Sequence, residues 1–474
     1  MYQMLSLLIE NISNFMYSYL LIIMLLAVGL YFTVRTKFVQ FRYFKEAIRL
    51  VSEKKNGENS VSAFEALMVS TASRVGTGNV VGVANAIAIG GYGAVFWMWV
   101  IALVGGATAF VESTLAQVYK KRDKDGGCYG GPAYYIEAAM GGKRWLGIVF
   151  SIALIATYAG GFNMLCSYNL ITSLSGYDFY GDPETSLVPV ICGSLLAVLV
   201  GICIFGGGKR IVKVTGVMVP VMGVSYIVIA LIFMVLNIGL IPEVIKNIFV
   251  SAFDFKAIFG GFAGSALMQG IKRGLYSNEA GVGSAPNASA AADVSHPAKQ
   301  GMVQMLSVFI DTILVCTATA MMCLSSGIVP SKELTGAPFV QTALATKFGN
   351  FGFYFITIAL LLFAFTTLIG NLFYCDGCIN YIANKKASKK TLLIFRVGAC
   401  LLIFAGALMD FGMVWNLADV LMGIMTIINL PIIMILGKTA LDVLKDYSEQ
   451  KKAGKDPQFK AAAIGLKGKT DFWN

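Results

Sequence analysis

Apolar stretches of 18 residues or more recur along the whole of this 474-residue chain. Each is long enough to cross a hydrocarbon core of roughly 30 Å. In lipid, backbone N–H and C=O groups must be satisfied internally, so only helices and closed barrels span. Barrel strands alternate apolar and polar residues, and these runs do not. The chain therefore reads as an all-α polytopic membrane protein. Composition agrees: 57% of residues are hydrophobic and 13% are charged, where a soluble protein carries about 25% charge.

Eleven spans are expected, near 15–33, 63–90, 92–118, 145–175, 187–205, 211–237, 257–290, 299–326, 350–383, 391–409 and 412–437. The first is too long and wrongly flanked for a cleaved signal peptide and is taken as a retained helix. Lysine and arginine set the orientation. With the N-terminus outside, the inner loops are 34–62, 119–144, 206–213, 384–390 and the C-terminal tail from 438. They hold "RTKFVQFRYFKEAIRLVSEKK", "KKRDKDGG", "GGGKR" and "NKKASKK". The outer loop "GYDFYGDPETS" is acidic. The net charge of +11 is thus a topology signal. With no soluble basic domain or aromatic-basic platform, nucleic-acid binding is excluded. Segment 35–55 reads as an amphipathic helix on the inner face, its basic residues toward lipid headgroups.

The nine cysteines fall mostly inside spans, and the outer loops offer none for a disulfide framework. Cys375-Asp-Gly-Cys378 matches C-x-x-C, but lacks the second pair of a zinc site and reads as buried small residues.

One span is interrupted. "SRVGTGN" (Ser73–Asn79) places an arginine, two glycines and an asparagine where a helix should be continuous. Each glycine weakens a helix by roughly 1 kcal/mol relative to alanine, so Gly76 and Gly78 permit unwinding. A ligand and its ions are natural partners for the freed backbone groups: half-helix N-termini hold a carboxylate, and exposed carbonyls hold a cation. A glycine packing contact is the alternative; it leaves Arg74, Thr77 and Asn79 unexplained.

Aligning Arg74 with Arg273 lays "RVGTGNVVGVANA" over "RGLYSNEAGVGSA", with five identities in thirteen positions. Five spans start from each motif. An odd number makes the second set enter from the opposite side, an inverted-topology repeat of the kind found in secondary transporters. The expected organisation is 1–62, the first helix and the inner-face helix; 63–240, the first five-helix repeat; 257–437, the second; and 438–474, a cytoplasmic tail.

"ASRVGTGNVVGVANAI", "RGLYSNEAGVGSAP", "HPAKQGMVQMLSVFIDTILVCTATA" and "FTTLIGN" together resemble the alanine/glycine:cation symporter family, the sodium:alanine symporters, over about residues 20 to 440. The resemblance implies a leucine-transporter-like fold, a five-plus-five inverted repeat with eleven helices. It also implies sodium-driven uptake of a small neutral amino acid, alanine or glycine, across the cell membrane. By position it gives Gly76, Thr77, Gly78, Asn79, Gly274, Tyr276 and Ser277 to the substrate. Backbone N–H groups around Thr77 and Gly78 would hold the carboxylate, Asn79 would bind a sodium beside it, and Tyr276 would cover the substrate Cα. A second sodium site would take carbonyls of Ala72, Val75 and Phe363 with the hydroxyls of Thr366 and Thr367. A carbonyl and hydroxyls three and four residues later share one helix face, although adjacent threonines in a membrane helix also bond to their own turn. No obligatory protein partner is implied; the partners are the amino acid, sodium and membrane lipid.

The chain departs from the family pattern at two positions. Asn371 stands where alanine carriers tend to have Trp, and Cys166 where they tend to have Gln. A smaller, polar wall would suit a longer polar side chain, so glutamine, serine and asparagine stand beside alanine and glycine.

Other functions are disfavoured by motif. The single histidine, His296, precedes Pro297 in an expected inner loop; no H-E-x-x-H or G-x-S-x-G occurs, and "GGGKR" is no P-loop. An enzyme is not expected. Channels want pore-lining rings and usually oligomeric symmetry. Proton coupling stays open, because Glu65, Glu112, Asp311, Asp376 and Asp419 lie in or near spans; Asp311 is the deepest, and a helix–helix hydrogen-bond anchor is its plainer role. Glu279 is expected to pair with an arginine in an inner gate.

Overall fold

The computed structural model describes residues 2–53, 60–122, 127–182, 185–254, 265–331, 333–384 and 387–473. All eleven expected segments contain helix; of 257–290, residues 257–264 lie outside the described residues. Seven helices among the described residues are long and apolar enough to cross a membrane. The first begins well before its expected boundary: Gln3–Arg35 runs on through a π-helical turn at Met16–Leu21. The amphipathic reading of 35–55 falls on the short helices Val39–Arg42 and Phe44–Val51. Ala47 and Leu50 are buried while Lys45 and Arg49 are exposed.

The interrupted span is two half-helices, Ala63–Arg74 and Val83–Gly90, joined through residues 75–77 and a π-helical turn at Gly78–Gly82. A capping box of Ser62 and Glu65 starts the first half, which accounts for Glu65 without a proton-relay role. Its repeat partner is also broken: Ala266–Asn278, then an irregular stretch, then Pro286–Ala291. Glu279, Gly281 and Gly283 all take positive φ there (54°, 89° and 87°). Glycine adopts that region freely, and a residue with Cβ does so as a helix C-terminus or under constraint.

The two broken helices run antiparallel. Val61, ahead of the first, forms a β-bridge with Ala292, beyond the second, and Asp293 N donates to Val61 O at 2.8 Å. At the far end, a Cβ on Gly90 would lie 3.3 Å from Ala266 Cα. The gaps therefore face each other in mid-molecule. The sequence alignment needs one correction of register. Arg74 sits at the edge of its gap, whereas Arg273 lies inside its helix, six residues before Glu279. The second gap opens later because its positive-φ residues come later.

Small residues close the seams that the helix Gly93–Val118, which follows the first broken helix, makes with the second broken helix and with Pro297–Val308. A Cβ on Gly274 would lie 2.5 Å from Ile101 Cγ2, and one on Gly270 2.4 Å from Ala94 O. Gly301 presses on Phe110 and Thr114 of Gly93–Val118. Such contacts replace the hydrophobic effect as the adhesive between helices in lipid.

The C-terminal region folds back on this body. After the helix Gly437–Lys452, Phe459 N donates to Ser295 O at 3.0 Å and Ala461 N to Trp473 O at 3.0 Å. Trp473 Nε1 donates to Gln117 O at 2.7 Å, and the buried Lys120 ammonium lies 4.0 Å from the Phe472 ring centroid. His296, expected as a loop residue, caps the helix Pro297–Val308 and is buried against Asp446, Nε2 to Oδ2 3.0 Å.

Candidate functional site

Val75 ends the first half-helix with ψ of 85°. The gap it opens is organised by Asn79. Gly76 N donates to Asn79 Oδ1 at 2.8 Å. Asn79 Nδ2 donates to Ser277 Oγ at 2.9 Å and to Asp311 Oδ1 at 2.7 Å. Ser277 Oγ donates to Asp311 Oδ2 at 2.8 Å, as does Thr312 Oγ1. One buried carboxylate thus joins a residue of the first broken helix to a residue of the second. Asp311 lies on a π-helical turn, Phe309–Cys316, a distortion that recurs at functional sites. Asn79 and Ser277, both expected at the substrate, are brought within hydrogen-bonding distance here.

Tyr276 lies over the same gap. A Cβ on Gly78 would come 2.4 Å from Tyr276 Cε1, so only glycine permits the approach. The ring also packs on Phe162 and Trp415, at 4.8 and 5.2 Å between centroids. Thr77 Oγ1 accepts from Asn169 Nδ2 at 3.0 Å. Cys166 is buried, with Sγ 3.6 Å from Ala364 O. Gly274 stands in the seam with Met98 and Ile101. Asn371 is tied into a polar chain: Ser73 Oγ donates to its Oδ1 at 2.6 Å, and its Nδ2 donates to Asn163 Oδ1 at 2.9 Å. Asn163 Nδ2 is buried with no partner.

The two threonines differ. Thr366 Oγ1 bonds back to Leu362 O and Phe363 O of its own helix, at 2.9 and 3.1 Å. Thr367 Oγ1 crosses to Ala72 O at 2.9 Å, and a Cβ on Gly76 would fall 2.2 Å from that hydroxyl. Thr367, Ala72 and Gly76 therefore converge beside Val75, with the Thr366–Phe363 pair on the same helix. Neutral, hard oxygens of this kind suit a hard monovalent cation.

The charges sort differently from expectation. Glu279 accepts from Ser284 Oγ at 2.6 Å, and no ion pair joins it to an arginine among the described residues. Arg273 and Lys272 both pair with Asp419 Oδ2, at 2.8 and 2.9 Å, and Arg273 stacks on Trp415, 4.3 Å from the ring centroid. Beside them lies a cavity of about 390 Å³, lined by Asn14, Asn85, Gln269 and Asn416 among others. Glu112 accepts from Gly281 N and Asn429 Nδ2, at 3.4 and 3.0 Å, bracing the second gap. Asp376 pairs with Arg396 at 2.9 Å. Sequence reasoning missed Asn163, Asn169 and the Asp419 cluster; the signal available was a polar side chain inside an apolar run.

Two antiparallel broken helices with facing gaps define a membrane protein of the leucine-transporter-like fold, the class of the secondary transporters, and not an enzyme. The chain is similar in fold to MhsT, solved in complex with L-phenylalanine, with TM-score 0.53, 14% identity, and coverage of 87% of this chain and 93% of that one. The sequence profile of the sodium:alanine symporter family matches residues 2–461, and the chain belongs to that family. It is 46% identical over 456 residues to the amino-acid carrier protein AlsT of Bacillus subtilis, covering 96% of this chain and 95% of AlsT. It is 43% identical over 461 residues to the probable sodium/glutamine symporter GlnT of the same organism, covering 97% and 94%.

Proposed function

We propose that this protein carries a small neutral amino acid, alanine or glycine, into the cell together with sodium, by alternating access. The observation that carries the reading is the meeting of Asn79 and Ser277 across the two facing gaps. The unwound backbone around Thr77 and Gly78 is available to the substrate carboxylate. Asn79 binds a sodium beside it, and Tyr276 covers the Cα. A second sodium sits between the carbonyls of Ala72, Val75 and Phe363 and the hydroxyl of Thr367; the Thr366 hydroxyl, expected beside them, stays bonded to its own helix. Carboxylate and cation lie together, so each binds better with the other present. The two broken helices and the helix after each rock as a bundle against the rest. The N-terminus lies outside and the tail lies in the cytoplasm.

A second substrate reading, glutamine, or serine or asparagine, is favoured by the polar chain Ser73–Asn371–Asn163 beside the gap. The unpartnered Asn163 Nδ2 is a ready donor for a side-chain amide or hydroxyl. The likeness to GlnT supports it too.

The test is uptake of radiolabelled alanine and glutamine into proteoliposomes under an inward sodium gradient, with potassium as control. Sodium-dependent alanine uptake supports the first reading, and glutamine without alanine the second. Uptake driven by a pH gradient alone would transfer the coupling to a carboxylate, Asp311 first.

A further inference from the structure

Arg74 ends the first half-helix, on the side of the gap that leads back to Ser62. It is 2% exposed. Its Nη1 reaches Gln304 O at 3.4 Å, while Nε and Nη2 have no partner. Those two N–H groups form one edge of the planar guanidinium, the edge that grips a carboxylate through two parallel bonds. A buried guanidinium with that edge unfilled is costly unless something fills it.

The protein has carboxylates within electrostatic reach of Arg74: Glu112, Glu279 and Asp311. Each is engaged elsewhere, by Gly281 and Asn429, by Ser284, and by Asn79, Ser277 and Thr312. They balance the charge at a distance and leave the edge open. The side-chain amides of Gln300 and Gln304, one turn apart, are also buried with no partner.

We propose that Arg74 is a transient carboxylate site on the inner path of the substrate, distinct from the site in the gap. The α-amino acid's carboxylate leaves the N–H groups around Thr77 and Gly78 and is received by Nε and Nη2 of Arg74. Its ammonium faces the surrounding carboxylates, and Gln300 and Gln304 supply further polar contacts. The inference rests on the transport reading above.

The test is exchange of radiolabelled alanine, with glutamine in parallel, in proteoliposomes holding the full chain in known orientation. Arg74→Lys keeps the charge and loses the two-pronged edge. It is expected to raise the half-saturating concentration on the cytoplasmic side about tenfold and to leave the outer value within about twofold. Equal shifts on both sides, or none, would overturn the proposal. Where Arg74→Lys fails to assemble, the unaltered protein decides. Propionate, a carboxylate without an ammonium, is expected to slow exchange from the cytoplasmic side only. Propionate acting equally from both sides, or from neither, overturns the inference alone. An unaltered protein that moves neither amino acid with sodium overturns the transport reading and the inference with it.

Discussion

Asn79 Nδ2 stands 2.7 Å from Asp311 Oδ1. A carboxylate accepts and cannot donate, so this contact fixes which way the amide points. Its oxygen must then face Gly76 N in the unwound stretch, where a cation beside the substrate would need it. Asp311→Asn removes that instruction, because the new amide can also donate and turn Asn79 around. A hydrogen bond to a charged group contributes about 1.5–3 kcal/mol, so the half-saturating sodium concentration is expected to rise about tenfold or more. Sodium titration of alanine and glutamine uptake reads this directly.

Thr366 and Thr367 are adjacent but predict opposite results. Thr366 bonds within its own helix and Thr367 to Ala72 across the gap. Thr367→Ala is expected to weaken sodium activation severalfold. Thr366→Ala is expected to shift it by less than about twofold, since a local back-bond in a helix contributes little. Equal shifts in the two variants would mean that both hydroxyls ligate the ion.

Gly78→Ala places a methyl within 2.4 Å of the Tyr276 ring. Overpacking costs about 1–3 kcal/mol, here between the two gaps. Uptake is expected to fall at least tenfold, while the detergent-solubilised protein keeps its elution profile.

Much of this was legible in the sequence because membrane physics is strict. Apolar runs gave the helices, and Gly76 and Gly78 marked the first gap. The second gap was harder to locate: Glu279 takes positive φ without being glycine, and identity at Arg273 drew the alignment out of register with the break. Apart from Thr312 beside Asp311, the partners of Asn371, Asp311 and Arg273 were hidden because each lies 34 or more residues away in the chain. Long-range pairing leaves no local periodicity. The folded tail, with Trp473 against Gln117, was read only as a cytoplasmic tail.

Asp419 is buried and shared by Lys272 and Arg273. Removing one member of such a cluster leaves uncompensated charge and costs about 3–5 kcal/mol. Asp419→Asn is expected to lower the melting temperature of the purified protein clearly. A variant as stable as the parent would mean that the two cations find solvent in the neighbouring cavity.

His296 gives a pH dependence outside the membrane spans. Burial pushes its pKa below the ordinary value; Asp446 opposes this and Lys299 adds to it. Ala298 N donates to Nδ1, so the folded ring is neutral. Below about pH 6.5 the unfolded state binds a proton that the folded ring resists. The stabilisation is full above that pH and is lost as pH falls through it. Hydrogen exchange in 456–473, corrected for intrinsic rates, is expected to quicken between pH 7.5 and 5.5. His296→Gln should remove that difference.

The bond from Thr367 to Ala72 has a wider consequence. In the transport reading proposed above, Ala72 belongs to the rocking bundle and Thr367, on the helix Asn350–Ile382, to the rest. An ion held between the two residues would work as a clutch, keeping bundle and rest engaged while it is filled and letting them slip when it empties. If that ion is sodium released into the receiving compartment, sodium accumulating there would re-engage the clutch. On that reading, a cell whose membrane leaks sodium would stall the carrier by trapping it in gear.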